Sequence, residues 1–304
     1  MSAPVAAPTI LPVPTIVPAP TLPPRATVVN VAPTEKPVAS AVHSNVEAQI
    51  EAAMQASLPS GSAAVITDSG TLIAGYRAAQ QRTAASTIKL PLLIEVLRQR
   101  ELGKLDLSQT VTIRARDVVG GTGNLQHQVG RTLSLNEVVH QMVLTSDNVA
   151  ANILVDLVGM DSVNATAQRY DFPNTFFRRR MLDTAAQAAG IENVTSTADL
   201  AGMLERIARG TMISTGISQQ AMSLLEERGR VDKDWLGLNL PASAELSHIN
   251  GTLAGVRDDV GLISSPSGKS FVLAVCQDRL VNEKSGEMAI ANLARRVYDI
   301  LDAG

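Results

Sequence analysis

Apolar residues recur at helical spacing from Ser44 to Ser57, where Val46, Ile50, Ala53 and Met54 share one face. Two short apolar runs follow, SAAVIT and TLIAGY, separated by Asp68-Ser69-Gly70, a pattern that predicts a β-hairpin. From Ser86 to about Glu227 the period is mainly helical. Within it, Ser134-Leu135-Asn136-Glu137 reads as a capping box opening LNEVVHQMVL, and Ser196-Thr197-Ala198-Asp199 opens DLAGMLERIA. Strand-like runs return as AELSHI, VRDDVGLI and FVLAVC, the last two joined by the turn Ser265-Pro266-Ser267-Gly268-Lys269. The chain closes on a helix whose Ile290, Leu293, Ala294, Val297 and Leu301 share a face. This order predicts an α+β fold, α/β in the broad sense. An antiparallel sheet would carry the terminal helices on one face, and residues 86–227 would form an all-helical lobe. The junction of the two lobes is the expected place for a small-molecule cleft.

Composition sets the limits of the domain. Ten of the fifteen prolines fall at or before Pro37, so residues 1–42 are expected to form an extended, polyproline-like spacer. That segment has neither the unbroken apolar length of a membrane span nor the basic start of a signal peptide. Residues 43–304 are enough for one large domain with two lobes. A net charge of −3 leaves no basic stripe for phosphates, which argues against nucleic acid as a partner. The single cysteine, Cys276, lies in FVLAVC and is expected inside a strand. It excludes an internal disulfide, the four histidines complete no zinc pattern, and no metal or other cofactor is expected.

Three short strings carry candidate chemistry. In AASTIKLPLLIEVLRQR the apolar period starts just after Ser86, which puts this serine at a helix N-terminus, where free N–H groups and the helix dipole favour negative charge. Lys89 lies three residues on, on the same face, and a desolvated lysine can take a serine proton. Alone, S-x-x-K is weak; a chain of this length is expected to hold about one by chance. Ser146-Asp147-Asn148 interrupts an apolar stretch, either as a helix junction or as a cleft-facing polar group. His248-Ile249-Asn250-Gly251-Thr252 ends a strand, and a glycine there lets a substrate approach the backbone closely.

In this order the three strings resemble the class A β-lactamase and penicillin-binding family, whose signature is S-x-x-K, S-D-N and K-T-G. The flanking segments AASTIKLPLLIEVLRQRELGKLDL, SLNEVVHQMVLTSDNVAANILVDLVG and GTLAGVRDDVGLISSPSGKSFVLAV are similar too, over roughly residues 44–302. The resemblance implies that Ser86 attacks a lactam or amide carbonyl, with Lys89 as base or relay. It implies that Ser146 passes the proton to the leaving nitrogen and that Asn148 holds a substrate amide. The region Asn250, Gly251 and Thr252 would line the substrate, with the oxyanion held by the N–H groups of Ser86 and Thr252.

Two positions depart from that pattern. Ile249 stands where the family has the lysine of K-T-G, which supplies positive charge near the substrate carboxylate; Arg257 or His248 are the candidates to replace it. The family also carries a deacylating glutamate, yet residues 148–191 contain no glutamate. Met181 falls near its place, and Asp183 reads as a structural hydrogen-bonder. The expectation is therefore a serine hydrolase that acylates at Ser86 on β-lactams or related amides and deacylates slowly. An amidase of peptidoglycan peptides, an esterase, or a non-catalytic envelope domain are the alternatives. The partner expected is a small β-lactam or peptide-like molecule. A monomer is expected outside the cytoplasm, tethered or exported through a segment ahead of the proline-rich spacer.

Overall fold

The computed structural model describes residues 39–303; of the expected spacer 1–42, residues 1–38 lie outside the described residues, and 39–42, which hold no proline, are helical instead of extended. Helix α1 (Ala39–Ser57) leads into strands β1 (Ser62–Thr67) and β2 (Leu72–Tyr76). After the short β3 (Arg82–Thr83), a single 3-10 turn, Ala85–Ile88, runs directly into α2 (Lys89–Glu101). Strands β4 (Thr110–Thr112) and β5 (Thr132–Ser134) precede α3 (Leu135–Leu144), α4 (Asn148–Val158) and α5 (Met160–Arg169). Next come α6 (Thr184–Ala188), β6 (Val194–Thr195), α7 (Thr197–Ala208) and α8 (Thr215–Val231). Three long strands, β7 (Glu245–Leu253), β8 (Val256–Ser264) and β9 (Ser270–Gln277), are followed by α9 (Glu283–Ala303).

The main sheet has the order β2-β1-β9-β8-β7 and is antiparallel throughout. Strand β9 lies at its centre, which explains why its sequence is apolar without alternation: both of its faces are covered. Phe271, Leu273 and Val275 pack with α1 and α9, through Ile50, Met54, Ile290 and Val297. Val272, Ala274 and Cys276 point the other way, into the core shared with the helical lobe. Cys276 is fully buried, as its strand position predicts. The expected terminal helices on one face and helical lobe on the other are both present. Among the described residues no helix is long and apolar enough to cross a membrane.

The stretch from Ser86 to Glu227 is less purely helical than its periodicity predicts. It contains the β4–β5 ladder, and β6 reaches back to pair with β3. These strands are two or three residues long, too short to imprint a period of two on the sequence.

Helix α2 is the axis of the helical lobe. Leu90, Leu92, Leu93, Ile94, Val96 and Leu97 are all essentially inaccessible, so the helix is apolar nearly all round, as a central core helix is. Each such side chain contributes about 1.5–3 kcal/mol by leaving water. Pro91 sits in the first turn, where its missing N–H costs no helical hydrogen bond. At the other side of the lobe α8 lies on the edge strand β7. A side chain at Gly229 would meet the Leu246 carbonyl oxygen at 1.7 Å, so only glycine permits this approach. That contact brings the end of α8 beside the residues of β7 that follow His248.

Candidate active site

The 3-10 turn before α2 places Ser86 at the mouth of a cleft of about 470 Å³ between the sheet and the helical lobe. Ser86, Ser146, Asn148, Met181, Arg228, Asp232, Asn250 and Thr252 line it, with Trp235 and Leu253 on its apolar side. Four residues at its edge hold positive φ without being glycine: Ala85 (41°), Ser146 (53°), Leu182 (55°) and Trp235 (51°). Such conformations cost about 1–3 kcal/mol each and persist where the surroundings fix them. Here they aim the residues beside them into one space.

Lys89 is the centre of the arrangement. It opens the helix at the axis of the helical lobe and is itself 0% exposed. Its Nζ lies 3.3 Å from Ser86 Oγ, 2.9 Å from Ser146 Oγ, 2.9 Å from Asn148 Oδ1 and 2.5 Å from the Ser146 carbonyl oxygen. Burial pushes the lysine pKa down to about 7; Asp147 opposes the shift and the Arg228 charge adds to it. A neutral amine has two N–H groups and one lone pair. Two of its neighbours, the Ser146 carbonyl and Asn148 Oδ1, can only accept, so they take both N–H groups. The lone pair is left for the hydroxyls of Ser86 and Ser146, either of which can donate to it.

The Ser146-Asp147-Asn148 triplet is both a helix junction and part of the cleft wall. Asp147 is the N-cap of α4, accepting from Ala150 N at 2.9 Å, and its other oxygen accepts from Leu125 N at 2.9 Å. Ser146 is held through its carbonyl, which accepts from Thr122 Oγ1 at 2.6 Å. Asn148 gives one amide hydrogen to the Gly120 carbonyl at 3.1 Å and faces the cleft beside Lys89. The loop around Gly120 and Thr122 reads from sequence only as a glycine-rich turn, and its part in holding the triplet is visible only here.

On the facing strand, Gly251 meets Ser86 backbone to backbone. A Cβ at Gly251 would lie 2.7 Å from Ser86 N and 2.9 Å from Thr87 N. The next residue, Thr252, is exposed in the cleft. Ile249 does not face the cleft; it is 1% exposed and packs in the core shared with the helical lobe.

Neither sequence candidate replaces the charge that Ile249 lacks. Arg257 points to α9, bonding Glu283 and Glu287 at 2.5 and 3.0 Å. His248 is buried between Asp259 (Nδ1 to Oδ1, 3.0 Å) and the Asp232 carbonyl (Nε2 to O, 2.9 Å). Its pKa is raised by Asp259 against the effect of burial, so its charge is spent on that partner. The cation in the cleft is Arg228, from the last turn of α8. Nη2 donates to Asn250 Oδ1 at 2.7 Å and to Asp232 Oδ2 at 2.8 Å, and Nη1 donates to the Val143 carbonyl at 2.6 Å. In sequence it is one charge in the run Glu226-Glu227-Arg228-Gly229-Arg230. The signal that could have singled it out is Gly229, whose close approach to β7 carries its neighbour into the site.

At the loop between α5 and α6, Asn152 brackets Met181. Met181 N donates to Asn152 Oδ1 at 2.7 Å and Asn152 Nδ2 donates to the Met181 carbonyl at 3.2 Å. The side chain of Met181 reaches the cleft, while Asp183 caps α6 through Ala186 N and is not among the cleft-lining residues.

A serine at a helix start, a buried lysine beside it and a second serine hydroxyl on the far side of that lysine are a constellation capable of acyl transfer. Comparison with known proteins agrees. Residues 45–301 match the model of the β-lactamase enzyme family. This chain belongs to that family. Among curated relatives, the extended-spectrum β-lactamase PER-1 of Pseudomonas aeruginosa is 27% identical over 232 residues, 70% of this chain and 73% of the relative. The solved β-lactamase of Sphaerobacter thermophilus superposes with a TM-score of 0.76 at 27% identity, covering 84% of this chain and 98% of that one. A variant of PBP-A, described as an acyl-enzyme complex with penicillin G, gives a TM-score of 0.75 at 25% identity, covering 90% and 100%. The expected family and the expected antiparallel sheet with its helices are thus both correct: the chain is a serine hydrolase of the class A β-lactamase and penicillin-binding type.

Proposed function

We propose that the protein forms an acyl-enzyme at Ser86 with β-lactams or related amides and esters, and releases the acyl group slowly. The observation that carries this is the buried Lys89 Nζ at 3.3 Å from Ser86 Oγ, with a pKa lowered to about 7 and acceptors for both N–H groups of its neutral form elsewhere. Lys89 takes the Ser86 proton as the Oγ–carbonyl bond forms. Ser146, 2.9 Å from Lys89 Nζ, passes a proton to the departing nitrogen or oxygen. The N–H groups of Ser86 and Thr252 hold the oxyanion, and Asn148 holds a substrate amide through its free hydrogen. Donors of this kind supply a large part of such catalysis. Slow release follows from Met181: its backbone is clamped where the family resemblance implies a general base, and a thioether cannot accept a proton from water.

The test is intact-mass spectrometry over hours after adding benzylpenicillin or a p-nitrophenyl ester in excess. The expected result is a long-lived mass increase, absent in Ser86→Ala. Wild-type protein that gains no adduct from either reagent, and hydrolyses neither, would sink the proposal.

Gly251→Ala tests the oxyanion assignment. The new methyl group would crowd Ser86 N and Thr87 N, which are backbone atoms with little room to yield. Acylation is expected to fall by about 10²-fold or more, the effect of displacing one oxyanion donor. The second-order acylation constant reads this, beside an unfolding curve showing that the variant folds.

An extracytoplasmic location and a monomeric state belong to the same proposal. The location is supported by the proline-rich composition ahead of the domain together with the family resemblance. Recovery of the full-length product only from cytosol would overturn it.

A further inference from the structure

Resting on Ser86 as nucleophile, we propose that Asp232 is a built-in carboxylate occupying the anion-recognising end of the cleft, so that preferred acyl donors carry no carboxylate beside the scissile bond. The family resemblance puts a lysine near the substrate carboxylate; here that position is Ile249, turned into the core. The groups that could receive an anion in its place are Arg228 and Asn250, and both already serve Asp232. Its Oδ2 accepts from Arg228 Nη2 at 2.8 Å and lies 3.4 Å from Asn250 Nδ2. Its Oδ1 accepts from Asp234 N at 3.0 Å, and its carbonyl accepts from His248 Nε2 at 2.9 Å. The carboxylate is therefore held in place at both oxygens and cannot swing aside without breaking contacts.

The charges lining the cleft are one arginine and two aspartates, Asp232 and Asp234. Lys89, behind Ser86, has lost about half its charge at pH 7 and sheds the rest above it, and the imidazole of His248 faces Asp259. An incoming carboxylate thus meets donors already satisfied by an intramolecular competitor, and a net negative wall. A neutral amide or ester meets neither obstacle. Trp235 and Leu253 offer it an apolar surface instead. Asp232 is in this sense a specificity-determining residue, reachable from solvent with its side chain 22% exposed.

The experiment compares acylation of wild type and Asp232→Asn by benzylpenicillin and by its methyl ester, which differ in one charge. Wild type is expected to prefer the ester. In Asp232→Asn the acid should gain about tenfold or more, the equivalent of one charge-assisted hydrogen bond, while the ester changes little. Asp232→Glu, which keeps the charge, should keep the wild-type preference. A wild-type preference for the acid, or equal changes for acid and ester, would overturn the inference. Binding in a Ser86→Ala background separates it from the question of the nucleophile. There, benzylpenicillin should raise the melting temperature only when Asp232→Asn is also present. An equal shift with and without that change overturns the role of Asp232, whereas absence of any adduct in the first experiment bears on Ser86 alone.

Discussion

Lys89→Met should lower the rate of Ser86 acylation by about 10²–10⁴-fold, the contribution of a positioned general base. The pH profile identifies the cause. With the lysine pKa near 7, wild-type acylation should rise as pH passes through 7 and level off above it, because the amine must be neutral to accept a proton. The methionine variant should lose that rise and keep a flat residual rate. Lys89→Arg is the informative second variant. It keeps a cationic hydrogen-bond donor on a slightly longer side chain but stays charged at every accessible pH, so it should fail as well. A lysine that merely braced Ser146 and Asn148 would be partly rescued by arginine. The same shift has a consequence for stability. Folding lowers this pKa from 10.5 to about 7, so between those values the unfolded chain binds more protons than the folded one. Stability therefore rises with pH across that window and carries its full penalty below pH 7. Thermal unfolding of wild type against Lys89→Met from pH 6 to 9 should show the wild type gaining relative to the variant as pH rises. A pH-independent difference between the two would remove the buried-base account.

Much of this was legible in the sequence because the relevant physics is local. The apolar run FVLAVC predicts a strand covered on both faces, and β9 is that strand at the centre of the sheet. Ser134 and Ser196 predict helix starts, and each accepts a backbone N–H there. Ser86 and Lys89 were readable for the same reason, since three residues of helical turn bring them together whatever surrounds them. Asn148, Asn250 and Thr252 all reach the cleft they were expected to line. What local pattern could not supply was pairing at long range. The two-residue strands β3 and β6 exist only because their segments meet across more than a hundred residues. Arg228 belongs to the same class. Its helix carries charges on several faces, and which of them enters the cleft is decided by where α8 rests on β7. Alternation along β7 and β8 likewise left His248 and Arg257 undecided. The answer came from what covers each face: the helical lobe takes Ile249, Asp259 takes His248, and α9 takes Arg257.

Met181→Glu should shorten the life of the Ser86 acyl-enzyme by about 10²-fold, the lower end of what a positioned general base contributes. The backbone at this residue is already fixed by the two hydrogen bonds with Asn152, and neither involves the side chain. A glutamate is close to methionine in length, so its carboxylate would enter the cleft that holds Ser86 and Asn148. The site is mostly buried, which raises a carboxyl pKa toward neutrality and makes it a better acceptor of a proton from water. The same burial should lower the melting temperature, because an apolar side chain gives way to an ionisable one. Acylation should change much less than deacylation, since Lys89 remains in place. Met181→Gln is the control: it has the shape and polarity of glutamate without the base. Adduct lifetime, followed by intact mass, should shorten in the glutamate variant alone. Equal lifetimes for the two variants would mean that release is limited by access of water to the acyl carbon, with Met181 acting as a plug and not as a missing base.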